Sequence, residues 1–194
     1  MELCKRHLNH TAEHVLDPTI LLSPADYRKL IGEEGAEKYT NKITAFILDR
    51  SEDKLAALEK VSKVLAMDYN FAATETEDRL TPLEKRIAPS VADWLKAMYY
   101  ADFIFTDSFH GCVFSILFNK PFVLYVNRNR GVARFASLLK LFKIENRTLS
   151  DSNELESCRI RQSIDWKPIN AKLEEMRSKS MRFLENALTA KDEQ

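Results

Sequence analysis

Thr106, Asp107, Ser108, His110 and Gly111 fall within one short polar turn between two apolar runs. The run at 103–105 is sized for a buried strand. After the turn, Val113, Ile116 and Leu117 recur at helical spacing, and Pro121 stops the helix before a second apolar run at 122–126. Strand, turn, helix and strand make one βαβ unit with its chemistry at a strand's carboxyl end, where open α/β sheets bind ligands. A helix beginning near Gly111 aims unpaired backbone N–H groups at an anion. Gly111 lets a ligand approach the backbone, and Ser108 adds a hydroxyl. His110 can carry a proton near neutral pH or donate a hydrogen bond to a phosphate. The bland alternative is a capped helix start, with Asp107 or Ser108 as the cap and His110 an ordinary surface residue. Cys112 at a helix start would have a lowered thiol pKa. The favoured reading is still a small core residue, because neighbours in sequence do not make a working Cys–His pair.

Arginines follow at the next connections. Arg128, Arg130 and Arg134 come directly after the run at 122–126, where guanidinium groups suit bidentate capture of phosphate or carboxylate. Taken alone, Arg128 and Arg130 read as a solvated loop. Their place beside the His110 turn favours the ligand reading for Arg130 and Arg134. Arg147 could add another cation, with a helix C-terminus satisfied by its side chain as the equal alternative. Asp17, before Pro18 and Thr19, reads as a turn residue.

The elements that must hold these residues can be read around them. Residues 42–48 predict the first buried strand. Ser51 caps a helix with Leu55, Leu58, Val61 and Leu65 on one face, and residues 67–72 predict a second strand. Residues 73–88 are polar and charged, a long loop suited to a lid or partner contact. Ser23, Pro24 and Asp26 read as a capped helix start, and so do Ser90 and Asp93. After Ser90 the core face is Val91, Trp94, Leu95 and Met98. Trp94, Tyr99, Tyr100 and Phe103 read as core aromatics. Phe135, Leu138, Leu139 and Phe142 turn inward from a further helix at 133–142. A last helix at 168–188 puts Ile169, Leu173, Met176, Phe183, Leu184 and Ala187 on one face. Helices thus alternate with short apolar strands, which argues an α/β fold: a parallel sheet with helices on both faces.

The bulk numbers exclude several classes. The 194 residues suffice for one domain with a sizeable core. Lys plus Arg equals Asp plus Glu at 29 each, so the balance gives no argument for nucleic acid, and any basic site is local. Four glycines allow no phosphate loop and no dinucleotide fingerprint. Three cysteines without metal-ligand spacing indicate a reducing compartment and no metal. There is no signal segment and no run long enough to span a bilayer. The expected setting is the cytoplasm, with room for a peripheral place at the inner face of a membrane.

Trp94-Leu95, Ala101-Asp102, the turn 106–111, Phe114-Ser115-Ile116, Lys120-Pro121-Phe122, Arg134-Phe135-Ala136-Ser137-Leu138-Leu139 and Glu145-Asn146-Arg147 together resemble the polysaccharide pyruvyl transferase family. The resemblance runs from Val15 to Arg147. It implies a two-domain, glycosyltransferase-B-like enzyme whose two Rossmann-like halves face a cleft, with this chain the second half. Residues 1–14 would be the end of the last helix of a missing N-terminal domain, 15–165 a Rossmann-like donor-binding domain, and 166–194 a C-terminal helix packing back on it. The implied reaction moves the pyruvyl unit of phosphoenolpyruvate to a sugar, on a glycan or lipid-linked acceptor, as a ketal, and no cofactor or metal is implied. Arg130, Arg134 and Arg147 are then the candidate cations, and Ser108 and Gly111 the substrate contacts. His110 is the proton donor or phosphate ligand, and Asp107 orients it. Two other functions stay open: a nucleotide-sugar-dependent glycosyltransferase domain, and a non-catalytic donor-binding or assembly module.

Overall fold

The computed structural model describes residues 2–73, 82, 83, 86–126, 132–156 and 158–189. The chain divides into two compact units, residues 23–165 and residues 1–22 with 166–194.

The larger unit is built on five parallel strands: β1 (Lys42–Phe46), β2 (Asp68–Phe71), β3 (Phe103–Thr106), β4 (Phe122–Tyr125) and β5 (Thr148–Leu149). Their order across the sheet is β2-β1-β3-β4-β5. The chain winds outward from β1 to β2, crosses back to β3, and proceeds in the other direction. Strand order therefore reverses between β1 and β3, where a crevice opens at the carboxyl ends. Ile43 lies opposite Phe103, and Ile104 opposite Phe122. Every residue of β3 and β4 is buried, as expected of strands covered on both faces.

The connecting helices are α3 (Glu52–Leu65), α4 (Val91–Tyr100), α5 (Phe109–Leu117) and α6 (Val132–Phe142). Two shorter helices precede β1: α1 (Glu2–Leu8) in the smaller unit and α2 (Pro24–Arg28) in the larger. Ser23 and Asp26 form a complete capping box on α2, and Ser51 and Ser90 cap α3 and α4. One core face packs Ile43, Ala45, Phe103, Phe105, Val123 and Leu149 with Ala57, Leu58 and Val61 of α3. Cys158 and Ile160 complete it.

The buried face of α3 is rotated from the expected one. Leu55 is exposed, and Lys54 is buried in its place with Ala57, Leu58 and Val61. Val91 is likewise exposed, and Ala97 joins Leu95 and Met98 in the core. β5 was not expected as a strand. It is only two residues long, too short for an alternating pattern to register. The loop expected at 73–88 lies largely outside the described residues.

In the smaller unit, α7 (Trp166–Thr189) packs on a 3-10 turn, Pro18–Leu21. Asp17 caps that turn, accepting from the Thr19 N–H at 3.1 Å and the Thr19 hydroxyl at 2.6 Å. Ser180 Oγ accepts from the Leu16 N–H at 3.0 Å, and the Arg177 guanidinium donates to the carbonyls of Ile20 and Leu22. Ile169, Leu173 and Met176 are buried as expected, whereas Phe183 and Leu184 are exposed, so the apolar face is covered only along its first half. Among the described residues no helix is long and apolar enough to cross a membrane.

Candidate functional site

Thr106 ends β3 and fixes the turn that follows. Its hydroxyl donates to the Phe46 carbonyl at the end of β1, 2.7 Å away, and accepts from the Ser108 N–H at 3.0 Å. Ser108 is the N-cap residue of α5, yet its side chain makes no capping hydrogen bond. The helix starts at Phe109, two residues earlier than expected, so Gly111 lies inside its first turn. The reason for glycine there differs from the expected one. A Cβ at Gly111 would sit 2.1 Å from Thr106 Oγ1 and 2.8 Å from Thr106 Cβ, so its missing side chain seats the helix on the strand.

Asp107 is fully buried, and its two oxygens are spoken for. Oδ1 accepts from the Leu48 N–H at 2.7 Å. Oδ2 accepts from the Asp49 N–H at 3.2 Å and from Lys54 Nζ at 2.7 Å. Lys54, itself buried, also donates to the Asp49 carbonyl at 2.7 Å. None of these partners is His110. The expectation that Asp107 orients His110 is replaced by a clamp that ties the loop after β1 to the end of β3, across the point of strand reversal. Sequence reasoning passed over Lys54, although a signal was there. Lys54, Leu58 and Val61 share one helical stripe, and a lysine on a buried stripe requires a buried partner.

Above the clamp lies a cavity of about 290 Å³ lined by Leu48, Asp107, Ser108, Phe109, His110, Arg134 and Phe135. His110 and Arg134 are exposed at its margin, and Ser108 is buried at its floor. The Arg134 guanidinium stacks on the Phe109 ring at 4.1 Å, and that ring meets Phe135 edge-on with centroids 6.0 Å apart. Stacking on the ring fixes the plane of the guanidinium at the cavity margin. The cavity therefore brings together an uncapped helix start, a hydroxyl, an imidazole and a guanidinium. Lys54 neutralises the buried Asp107 carboxylate beneath it. This set of donors suits an anion.

Among the described residues, Arg134 is the expected cation found there; Arg130 lies outside the described residues. Arg147 is elsewhere. It is almost fully buried, and its guanidinium donates to the carbonyls of Ile160 (3.4 Å) and Gln162. Burial lowers its pKa, and its donors hold the segment 160–162 against the sheet. The expectation that it contacts substrate is corrected on that ground.

Beside the clamp, the Tyr125 hydroxyl donates to Asp53, which also accepts from the Ser152 N–H at 3.1 Å. These bonds lower the Asp53 pKa, while burial, and then Asp53, raise that of Tyr125. Cys112 is fully buried, and burial, with Asp107 nearby, pushes its thiol pKa far up, opposite to the expected helix-start effect. Among the described residues no group of three or more His, Cys, Asp or Glu could hold a metal ion.

Comparison with known proteins gives a family match and a likeness to solved structures. The family model described as polysaccharide pyruvyl transferase matches residues 2–129. That span contains the whole turn from Thr106 to Gly111 and ends before Arg134 and Arg147. Among solved structures, the glycotransferase of kitacinnamycin is similar, with a TM-score of 0.50 and 14% identity, over 75% of this chain and 42% of that one. At that identity the likeness is one of fold, an α/β arrangement of the Rossmann-like, glycosyltransferase-B-like kind. The chain spans under half the length of that protein. No curated protein matches.

Proposed function

The chain belongs to the polysaccharide pyruvyl transferase family, and we propose that its cavity above β3 receives phosphoenolpyruvate, whose pyruvyl unit is transferred to a sugar as a ketal. The observation that carries this reading is the convergence of Ser108, the uncapped start of α5, His110 and Arg134 on one cavity. The proposed donor has a phosphate and a carboxylate close together. The α5 start and the Ser108 hydroxyl suit the phosphate. Arg134, held flat on Phe109, suits the carboxylate.

In the proposed reaction the methylene carbon of the donor gains a proton and becomes a methyl group. Two sugar oxygens bond to the adjacent carbon, whose bond to the phosphate oxygen breaks. The sugar diol gives up two protons: one balances that taken by the methylene carbon, and the other leaves with phosphate. In this reading His110, at the cavity margin, either delivers the first proton or holds the departing phosphate. Developing charge is met by the helix start and Arg134. The acceptor is a sugar of a glycan or lipid-linked precursor, the remaining wall of the cleft is supplied by a second domain, and the setting is cytoplasmic.

The test is ligand protection against thermal unfolding. Phosphoenolpyruvate is expected to raise the melting temperature of the chain, and Arg134→Ala and Ser108→Ala to reduce that shift. In an enzyme assay of the complete protein, His110→Ala is expected to lose about 100-fold or more. His110→Gln separates the two roles of His110: it retains a hydrogen-bond donor, so a phosphate ligand is partly rescued and a proton donor is not. A second reading, nucleotide-sugar-dependent glycosyl transfer, draws on the fold shared with a glycotransferase. The family match favours the pyruvyl donor. Protection by a nucleotide diphosphate sugar, with none by phosphoenolpyruvate, would select the second reading.

A further inference from the structure

A second cleft, of about 400 Å³, opens at the opposite ends of the strands, where β3 and β4 begin. Tyr99 and Tyr100 at the end of α4, Asp102 before β3, and Phe118, Asn119 and Lys120 after α5 form its walls. The sequence reading assigned both tyrosines to the core, but they are only half-buried. Nothing in the proposed reaction uses this cleft.

Its polar groups are fixed in place and largely unclaimed. Asp102 accepts the Asn41 N–H through Oδ2, which sets the direction of the carboxylate and leaves Oδ1 open. Asn119 adopts a left-handed backbone (φ 55°), and the Lys120 N–H donates to the Ser115 carbonyl at 2.8 Å, closing the end of α5. That closure holds Lys120 over the Tyr99 ring, with the ammonium 5.8 Å from its centroid. The Lys120 ammonium makes no hydrogen bond or ion pair with a described residue, and neither do the hydroxyls of Tyr99 and Tyr100. Burial weakens the hold of Lys120 on its proton, with Asp102 acting in the opposite sense. Partial burial has thus removed water from an amine without replacing it by a protein acceptor.

We infer that this cleft is a carbohydrate subsite, distinct from the donor cavity, that binds a neutral saccharide unit of a polymeric acceptor. The charges of Lys120 and Asp102 cancel, so the cleft has no net attraction for a phosphate or a uronate. A donor and an acceptor side by side match adjacent sugar hydroxyls. The half-buried Tyr99 and Tyr100 give aromatic surface for the C–H face of a pyranose ring. The polymeric nature of the ligand rests on the proposed pyruvyl transfer. A subsite remote from the chemistry would raise the local concentration of chain segments at the donor cavity.

The experiment is a screen of the 194-residue chain against an array of neutral hexose and N-acetylhexosamine oligosaccharides. Bound glycans are then mapped by amide shift perturbation on nitrogen-15-labelled protein. The expected result is perturbation at 99–102 and 117–120 with 108–111 unmoved. Affinity should fall about tenfold or more in Lys120→Met, as for loss of hydrogen bonds to a charged group. Binding of no array member overturns the inference. So does a perturbation centred on 108–111, displacement by inorganic phosphate, or unchanged affinity in both Lys120→Met and Tyr100→Ala. The wild-type map decides the matter even where a variant fails to fold. Titrating phosphoenolpyruvate into the same sample separates the two ideas. Donor binding at 108–111 without glycan binding sinks the subsite alone; glycan binding at 99–102 and 117–120 without donor binding sinks the donor reading alone.

Discussion

Arg134 and Arg147 stand at the two ends of α6 and spend their guanidinium groups in different ways. Arg134, on the first turn, lies exposed on the Phe109 ring and borders the cavity. Arg147, beyond the last turn, is buried and donates to the carbonyls of Ile160 and Gln162. The same contrast separates neighbours in the β3–α5 turn. Asp107 is consumed by Leu48, Asp49 and Lys54, while Ser108 leaves its hydroxyl uncommitted. Asp107 and Arg147 are buried against the protein's own backbone, whereas Arg134 is exposed at the cavity. The buried groups should therefore govern stability, and the groups lining the cavity should govern binding.

The strongest challenge to that division is Lys54→Met. It leaves the Asp107 carboxylate buried without its cation, and a loss of about 3–5 kcal/mol in urea unfolding is expected. Adding Asp107→Asn should recover part of it. A loss below about 1 kcal/mol for Lys54→Met would mean that the clamp does not hold the turn. Next comes Arg147→Met, which leaves the buried Ile160 carbonyl and the partly buried Gln162 carbonyl without their donor. It is expected to cost about 1–3 kcal/mol while leaving phosphoenolpyruvate affinity unchanged. Arg134→Met should show the reverse: stability within about 0.5 kcal/mol of wild type, and weaker binding by calorimetry. Should the two arginine variants behave alike, the distinction between buried groups and cavity groups fails.

Tyr125→Phe sharpens the comparison at a smaller scale, with an expected loss of about 1 kcal/mol near neutral pH. The Asp53 carboxyl is held below its ordinary value, chiefly by the Tyr125 hydroxyl and then by Ser152. Its stabilisation is therefore complete above the unfolded-state pKa of roughly 4 and is lost as pH falls through the lower folded-state value. Unfolding midpoints measured from neutral to acid pH should converge for wild type and Tyr125→Phe. The smallest effect is chemical. Burial raises the Cys112 thiol pKa far above normal and that of Cys158 to about 11. A maleimide at mildly alkaline pH should label Cys4 in the native chain, and the other two only after denaturation.

Much of this was legible in the residues. Four strands, the Ser23 capping box and the placement of Ser108 and His110 on one turn follow from local periodicity and cap chemistry, which need no tertiary context. What was not legible depends on partners distant in sequence. Asp107 meets Leu48 and Lys54 across the strand reversal, and Arg147 meets carbonyls that only the segment 158–162 brings to it. Gly111 was assigned to ligand access because its true neighbour, Thr106 Oγ1, becomes visible only when helix and strand are packed. The exposed half of the α7 stripe makes the same point, since periodicity marks an apolar face without showing that anything covers it.

The contact of Gly111 with Thr106 also bears on motion. Thr106 is bonded to β1 on one side and to the Ser108 N–H on the other, and the first turn of α5 rests directly on it. A helix seated so closely can neither slide along the strand nor roll on it without collision. The β3–α5 wall of the cavity is thus an anvil with no hinge of its own. Any closure over a bound ligand, and the water exclusion that comes with it, must be made by the facing side: Arg134, Phe135 and the elements that carry them.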